Sequence, residues 1–290
     1  MSKPGPRSLE WGLTLPPLFW LTLFFVVPTA IVLLYAFKPT ELYGGIGEGW
    51  TLETIRALFT RSTLILIYRT LYLSLTATLI CLILAVPMGF YIARQRPKVQ
   101  QLLLMLVVLP FWSSFIVRIY AWKSLLHPEG MLKQLLVYLH LVSEETVFLY
   151  HPWAVILVMV YVYIPFAILP IFAAAQKFDE QVFEAAMDLG MTRLKAFFKV
   201  FLPSIKNGLF GAVLLVLIPT LGAYVIPDMI GGPDTEMLGN KIVQKTFVDR
   251  NIPAAAALSG VLFLGVFLPL VFQSLVQKRQ GQTHTVKGGH

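Results

Sequence analysis

The chain has 290 residues, of which 57% are hydrophobic and only 13% charged, with mean hydropathy +0.73 and a net charge of +8. A soluble domain is nearer half apolar and about a quarter charged, so the composition points to a membrane protein and leaves no room for a soluble enzyme domain. A single cysteine, Cys81, excludes an internal disulfide and carries no redox signal.

In chain order, six apolar stretches are long enough to cross a hydrocarbon core of roughly 30 Å: residues 13–37, 68–93, 102–125, 153–175, 208–230 and 254–276. The first lacks a small-residue cleavage site and reads as a retained span rather than a signal peptide. Gly44, Gly45, Gly47 and Gly49 make a flexible turn after it, and residues 51–60 read as a short amphipathic helix. Proline marks every span (Pro28, Pro87, Pro110, Pro165, Pro170, Pro219, Pro227, Pro269), which membrane helices tolerate and which carries little weight as evidence for motion. Residues 228–253 begin as a Gly/Pro turn and continue as a surface helix. The small residues Ala254–Ala257, Ser259, Gly260 and Gly265 allow close helix packing in the last span. Residues 281–290 read as a disordered tail.

Charge sets the orientation. With the N-terminus inside, the inner segments hold thirteen of the 23 basic residues: Lys3, Arg7, Arg94, Arg96, Lys98, Lys177, Arg193, Lys195, Lys199, Lys206, Lys278, Arg279 and Lys287. Only five acids accompany them (Glu10, Asp179, Glu180, Glu184, Asp188), so the whole positive excess lies on one side and both termini are placed in the cytoplasm. The basic balance then requires no nucleic acid.

Residues 177–205 lie between two spans and are too charged to cross. A short helix, a glycine break at Gly190 and a second helix stopped near Pro203 are expected there. Acids gather in the first helix and bases in the second. Val182, Phe183, Ala186, Leu189, Leu194, Phe197, Phe198 and Phe201 fall at roughly helical spacing, giving one apolar face that needs something to pack against. From an amphipathic loop alone, a re-entrant or interfacial hairpin with no partner is the preferred reading over a docking element. Glu184-Ala185-Ala186, then Gly190, then Val200, Leu202 and Pro203 resemble the EAA loop of binding-protein-dependent ABC importer permeases, with valine at 200 where the family usually has isoleucine. The resemblance implies that Glu184, Ala185, Ala186, Gly190, Leu202 and Pro203 form a coupling helix seated on a cytoplasmic ATPase.

Chemistry of the chain's own is not in sight. No phosphate-cradling GxxxxGK[ST], no GxSxG and no HExxH occurs, and the five histidines (His127, His140, His151, His284, His290) form no close ligand pair. Catalytic residues and a metal site are therefore not expected.

Residues 109–122 (LPFWSSFIVRIYAW) and 222–240 (GAYVIPDMIGGPDTEMLGN) resemble the permeases of spermidine/putrescine importers, a likeness extending from about residue 13 to 272. A polyamine pathway should offer carboxylates or carbonyls for charge and aromatic faces for cation–π contact. Trp112, Tyr120, Tyr224 and Asp228 are the candidates, Tyr224 and Asp228 sharing a helix face at i and i+4. Arg118, deep in the third span, is a costly charge. Its roles stay open: structural, as an ion pair with a carboxylate such as Asp228 or a side chain snorkelling outward, or gating and selectivity.

The resemblance implies an all-α integral membrane subunit of a type I ABC importer, one permease domain over 1–290 with six transmembrane helices, in the bacterial cytoplasmic (inner) membrane. Its implied partners are a second homologous permease, a dimer of cytoplasmic ABC ATPases that holds ATP and Mg, a periplasmic or extracellular substrate-binding protein, and the lipid bilayer; no cofactor is expected in this chain. The alternatives are the same machinery for another organic cation or amino acid derivative, a membrane-embedded enzyme, and a stand-alone channel or secondary transporter. The enzyme would require clustered polar catalytic groups within the spans, which the sequence does not show, and the channel or secondary transporter leaves the EAA-like loop unexplained.

Overall fold

The computed structural model describes residues 6–41 and 44–286, with side chains described over 13–41, 44–267, 270 and 271. Lys3, Lys287 and His290, and the side chains of Arg7, Glu10, Pro269, Lys278, Arg279 and His284, lie outside the described residues. In chain order the helices are α1 (Pro6–Leu21), α2 (Val27–Tyr35), α3 (Glu53–Ala57), α4 (Arg61–Ala93), α5 (Pro97–Val108), α6 (Phe115–Leu125), α7 (Met131–Tyr138) and α8 (Pro152–Gln176). They continue as α9 (Glu180–Asp188), α10 (Arg193–Ala196), α11 (Leu202–Ser204), α12 (Lys206–Leu221), α13 (Val225–Ile230), α14 (Leu238–Val243) and α15 (Ile252–Val286). Among the described residues there is no strand.

Three helices are long and apolar enough to cross a bilayer unbroken: Leu13–Tyr35, Arg61–Ala93 and Pro152–Gln176. Two bent pairs raise the number to as many as five, and Ile252–Phe267 is a shorter apolar helix. Each of the six apolar stretches read from the sequence is thus helical, but they do not form six uniform rods. The third stretch is two helices, Pro97–Trp112 and Phe115–Leu125, bent by 89°. Pro110, which has no N–H to continue the ladder, opens a 3-10 turn, and Ser113 and Ser114 are extended. The fifth ends at Leu221, and α13 restarts after Gly222 and Tyr224, whose carbonyl accepts the side-chain amide of Asn240 at 2.9 Å. Elsewhere proline is absorbed: α4 runs through Pro87, α8 through Pro165 and Pro170, and α12 through Pro219. A π turn sits just ahead of Pro28 and another just ahead of Pro203, where the missing N–H already interrupts the helix.

Contacts divide the chain into two compact units, residues 1–64 with 241–290, and residues 65–240. In the first, α2 and α3 pack on α15, with Ala36, Ala256 and Ala257 buried among Tyr35, Ile55 and Leu58. The small residues at 254–257 permit that approach. Asn251 opens α15, its side-chain oxygen accepting Ala254 N–H at 2.9 Å and the Thr40 hydroxyl at 2.8 Å. The side chains of residues 13–27 are exposed along the whole of their length, an apolar surface matched to lipid tails or another helix.

The second unit is built on α8, which packs against α12, α13 and α5 and buries Val155, Val158, Met159, Ala167 and Ile171 completely. At Gly89 of α4 a Cβ would come within 2.7 Å of Ile171 and 3.1 Å of the Phe172 nitrogen, so α4 and α8 cross at backbone distance and only glycine fits. The 228–253 region departs from the expected surface helix. Thr235, Met237 and Leu238 are buried, and Leu238 N–H donates to the Thr70 hydroxyl of α4 at 2.9 Å. Arg69, one residue earlier on α4, donates to the Pro233 carbonyl at 3.0 Å and pairs with Asp234 at 2.8 Å.

Candidate functional site

The charged loop folds as a helical hairpin. Asp179 caps α9, its carboxylate accepting Gln181 N–H at 3.0 Å, and Thr192 caps α10 through Lys195 N–H at 3.4 Å. Between them Gly190 takes φ +87°, with its N–H on the Met187 carbonyl at 2.9 Å and Met191 N–H on the Ala186 carbonyl at 3.1 Å. That 6→1 and 5→2 pair is a Schellman ending, which needs a left-handed residue at this position. The glycine break expected from the sequence is therefore a backbone requirement. After α10 the chain passes through a π turn, Phe197–Phe201, and α11 before bending 74° into α12.

The single apolar face read from the sequence is two faces. Phe183, Ala186, Ala196 and Phe201 are buried and Phe197 is half-buried, while Val182, Leu189, Leu194 and Phe198 point outward, Leu189 with 84% of its surface exposed. Glu184 and Ala185 share the outward side, Leu202 is half-buried and Pro203 is exposed. The inward face packs on Phe90 of α4, whose ring meets Phe201 at 4.5 Å, Phe197 at 5.0 Å and Phe183 at 5.7 Å between centroids. Arg94, just past α4, lies over Phe90 at 3.4 Å and donates from Nε to Glu180 at 2.7 Å. Sequence reasoning counted Arg94 only as an inner charge and did not single out Phe90; their i, i+4 spacing at the end of a span was the available signal. The arrangement clamps one side of the hairpin to α4 and leaves the other, with Val182, Leu189, Leu194 and Phe198 beside the carboxylates of Glu184 and Asp188, exposed.

The residues expected along a solute pathway are scattered. Trp112 (76% exposed) and Tyr120 (55%) lie on opposite sides of the break in the third stretch. Tyr224 is exposed and caps α13 with φ −131°, its carbonyl accepting Asp228 N–H at 3.0 Å. Asp228 is exposed. The ion pair expected between Arg118 and Asp228 is absent among the described residues, although α6 and α13 pack together. Arg118 is buried, with its guanidinium 5.2 Å from the Phe111 ring and 6.0 Å from that of Phe115, and its Nε has no acceptor. The aromatic rings flanking the break take the place of the carboxylate. A cavity of about 490 Å³ between α4, α5 and α8 is lined by apolar side chains including Met88, Leu103, Pro110 and Ile168, and by none of these candidates. Among the described residues no three His, Cys, Asp or Glu side chains cluster as metal ligands.

Comparison with known proteins places this geometry. The chain is 35% identical over 254 residues to the spermidine/putrescine transport system permease protein PotB of Haemophilus influenzae, covering 87% of this chain and 89% of that protein. It is 31% identical over 274 residues to the inner membrane ABC transporter permease protein YdcU of Escherichia coli, covering 90% and 87%. Among solved structures, a chain of a bacterial ABC transporter involved in the import of the acidic polysaccharide alginate superposes with TM-score 0.69 at 19% identity, over 93% of this chain and 95% of that one. A chain of the inward-facing MetNI methionine ABC transporter gives 0.56 at 17% identity, over 76% and 99%. These likenesses establish the fold as that of type I ABC importer permeases. Residues 85–282, which include the hairpin, its α4 anchor and the broken third stretch, match the family described as binding-protein-dependent transport system inner membrane component. The chain belongs to that family.

Proposed function

We propose that this protein is the transmembrane permease subunit of an ABC importer for polyamines such as putrescine and spermidine. The carrying observation is the hairpin, held to α4 by its buried aromatic face and presenting Leu189, Leu194, Phe198 and Glu184 outward. An exposed apolar patch on an anchored element between apolar helices is an interaction surface. A cytoplasmic ATPase dimer is the partner that this reading seats there, with ATP and Mg held by the ATPase and no catalytic group in this chain. A second permease completes the pathway, and a binding protein delivers the solute from outside. The chain crosses the inner membrane six times with both termini in the cytoplasm, as the distribution of Lys and Arg favours.

The polyamine assignment draws on the relatives named for spermidine and putrescine transport, which match this chain over 87% of its length. The fold alone does not choose the solute, since chains from alginate and methionine transporters share it. Trp112, Tyr120 and Tyr224 supply exposed aromatic faces and Asp228 an unpaired carboxylate, groups that suit an ammonium chain. In the cycle, ATP binding closes the ATPases, the hairpin moves, and the membrane pathway alternates its opening between outside and inside. Purified complex in proteoliposomes, given binding protein outside and ATP at the ATPases, should accumulate labelled putrescine. Equal uptake by this chain without ATPase or nucleotide would instead mark a channel or secondary transporter.

A further inference from the structure

The ties at the two ends of α4 carry a consequence for how the hairpin could act at a distance. At the inner end, the guanidinium of Arg94 uses two of its surfaces at once. Its face rests on Phe90 at 3.4 Å and approaches Phe183 at 5.3 Å and Phe201 at 5.8 Å, while Nε reaches Glu180, the first residue of α9, at 2.7 Å. This is the only ion pair that reaches the hairpin among the described residues, and the Arg94 side chain is only 20% exposed. A planar, delocalised cation can stack and donate in plane together; a lysine ammonium cannot. At the outer end of the same unbroken helix, Arg69 holds Asp234 at 2.8 Å and the Pro233 carbonyl at 3.0 Å, and Thr70 accepts Leu238 N–H at 2.9 Å. The 25 residues from Arg69 to Arg94 place these ties about 37 Å apart along a helix rising 1.5 Å per residue.

We propose that α4 is the rod that carries hairpin movement to the 225–240 segment, with Arg94 as its inner joint and Arg69 as its outer one. Both are positioning residues; neither needs to touch solute or nucleotide. The proposal rests on the hairpin docking an ATPase and adds the route by which that docking is felt at the outer side. A hairpin held to α4 only by apolar packing could slide as the aromatic faces repack. The Arg94–Glu180 bond, 2.7 Å from Nε, fixes the register, so that displacement of α9 displaces α4 with it. The Arg69–Asp234 and Thr70–Leu238 ties then pull on the segment that bears Asp228.

The test uses the full complex with its ATPase and second permease in proteoliposomes, with binding protein and labelled putrescine, and reads solute moved per ATP hydrolysed. Arg94→Met keeps an apolar stem on Phe90 and removes the charge and the donor. Its transport per ATP should fall about tenfold, within the roughly 5- to 150-fold range of ordinary coupling energies, while ATPase co-purifies as in wild type. Arg94→Lys should restore less of the ratio than a mere charge requirement would give. Should the Arg94→Met permease fail to insert, Glu180→Gln, which removes only the partner charge at a more exposed position, gives the same readout with a smaller loss, and Arg69→Met tests the outer joint. An unchanged ratio in Arg94→Met or, where that variant does not insert, in Glu180→Gln, overturns the joint. So does loss of bound ATPase in step with uptake, because Arg94 would then serve only to fold the hairpin. The underlying docking is checked separately with Leu189→Glu in an otherwise native chain: ATPase still bound to that variant defeats the docking, whatever the Arg94 variants do.

Discussion

Gly190 offers a perturbation whose size can be worked out in advance. Its φ of +87° lies in the left-handed region, and a Cβ placed on it would meet nothing within 4 Å. Gly190→Ala therefore adds no clash, loses no side-chain contact, and tests the backbone conformation by itself. For an L-residue that conformation costs about 1–2 kcal/mol, and the Schellman pair through Met187 and Ala186 leaves no room to relax it without opening the end of α9. A penalty of that size divides the population of the closed hairpin, relative to frayed forms, by about 5 to 30. Leu189, the most exposed apolar residue of the hairpin, is its immediate neighbour, so fraying disperses the docking face directly. Titration of purified ATPase against permease complex in nanodiscs should show weaker binding by up to that factor. Gly190→Asn should lose less, because asparagine tolerates the left-handed region, and Gly190→Val more. Wild-type affinity in Gly190→Ala, or Asn weaker than Ala, would refute the backbone argument.

Glu184→Lys reverses an exposed carboxylate of α9 that pairs with no group among the described residues and should cut ATP-driven uptake on the order of tenfold at wild-type expression; undiminished uptake would remove Glu184 from the proposed docking surface. Cysteine labelling should find positions 98 and 195 accessible from inside and 48, 145 and 234 from outside, and a cytoplasmic 234 would invert the orientation. Asp228→Asn should reduce transport of spermidine, with three ammonium groups, more than that of putrescine, with two, and unchanged uptake of both would take Asp228 out of the pathway. Arg118→Met should leave complex yield unchanged or higher, since the buried Nε has no acceptor to lose; a marked fall in yield would mean that Arg118 meets a carboxylate in the assembled complex.

The sequence made the apolar stretches and the hairpin legible because both rest on local rules. Long apolar runs, acids then bases along the hairpin, and a glycine at a helix end are written in neighbouring residues. Where the reading failed, the determinants were distant in the chain. One apolar stripe on the hairpin divided in two because Phe90, some ninety residues before Phe183, chooses which rings turn inward. The third and fifth stretches broke at Ser113–Ser114 and at Gly222–Tyr224, where proline and serine chemistry and the Asn240 amide outweigh hydropathy. Arg118 and Asp228 are opposite charges on packed helices, and charge alone suggested that they pair. Phe111 and Phe115, flanking the break, occupy that role instead.

The most direct test of the central claim is putrescine uptake into proteoliposomes holding the full complex, compared between native chain and a hairpin variant, Leu189→Glu with Leu194→Glu, that removes the outward apolar face and leaves Phe183, Phe197 and Phe201 in place. The native complex should accumulate putrescine in an ATP-dependent, binding-protein-dependent way, and the variant should lose both bound ATPase and uptake, with the permease still inserted. Accumulation that persists in the variant, or that proceeds in the native chain without ATP, would contradict the claim.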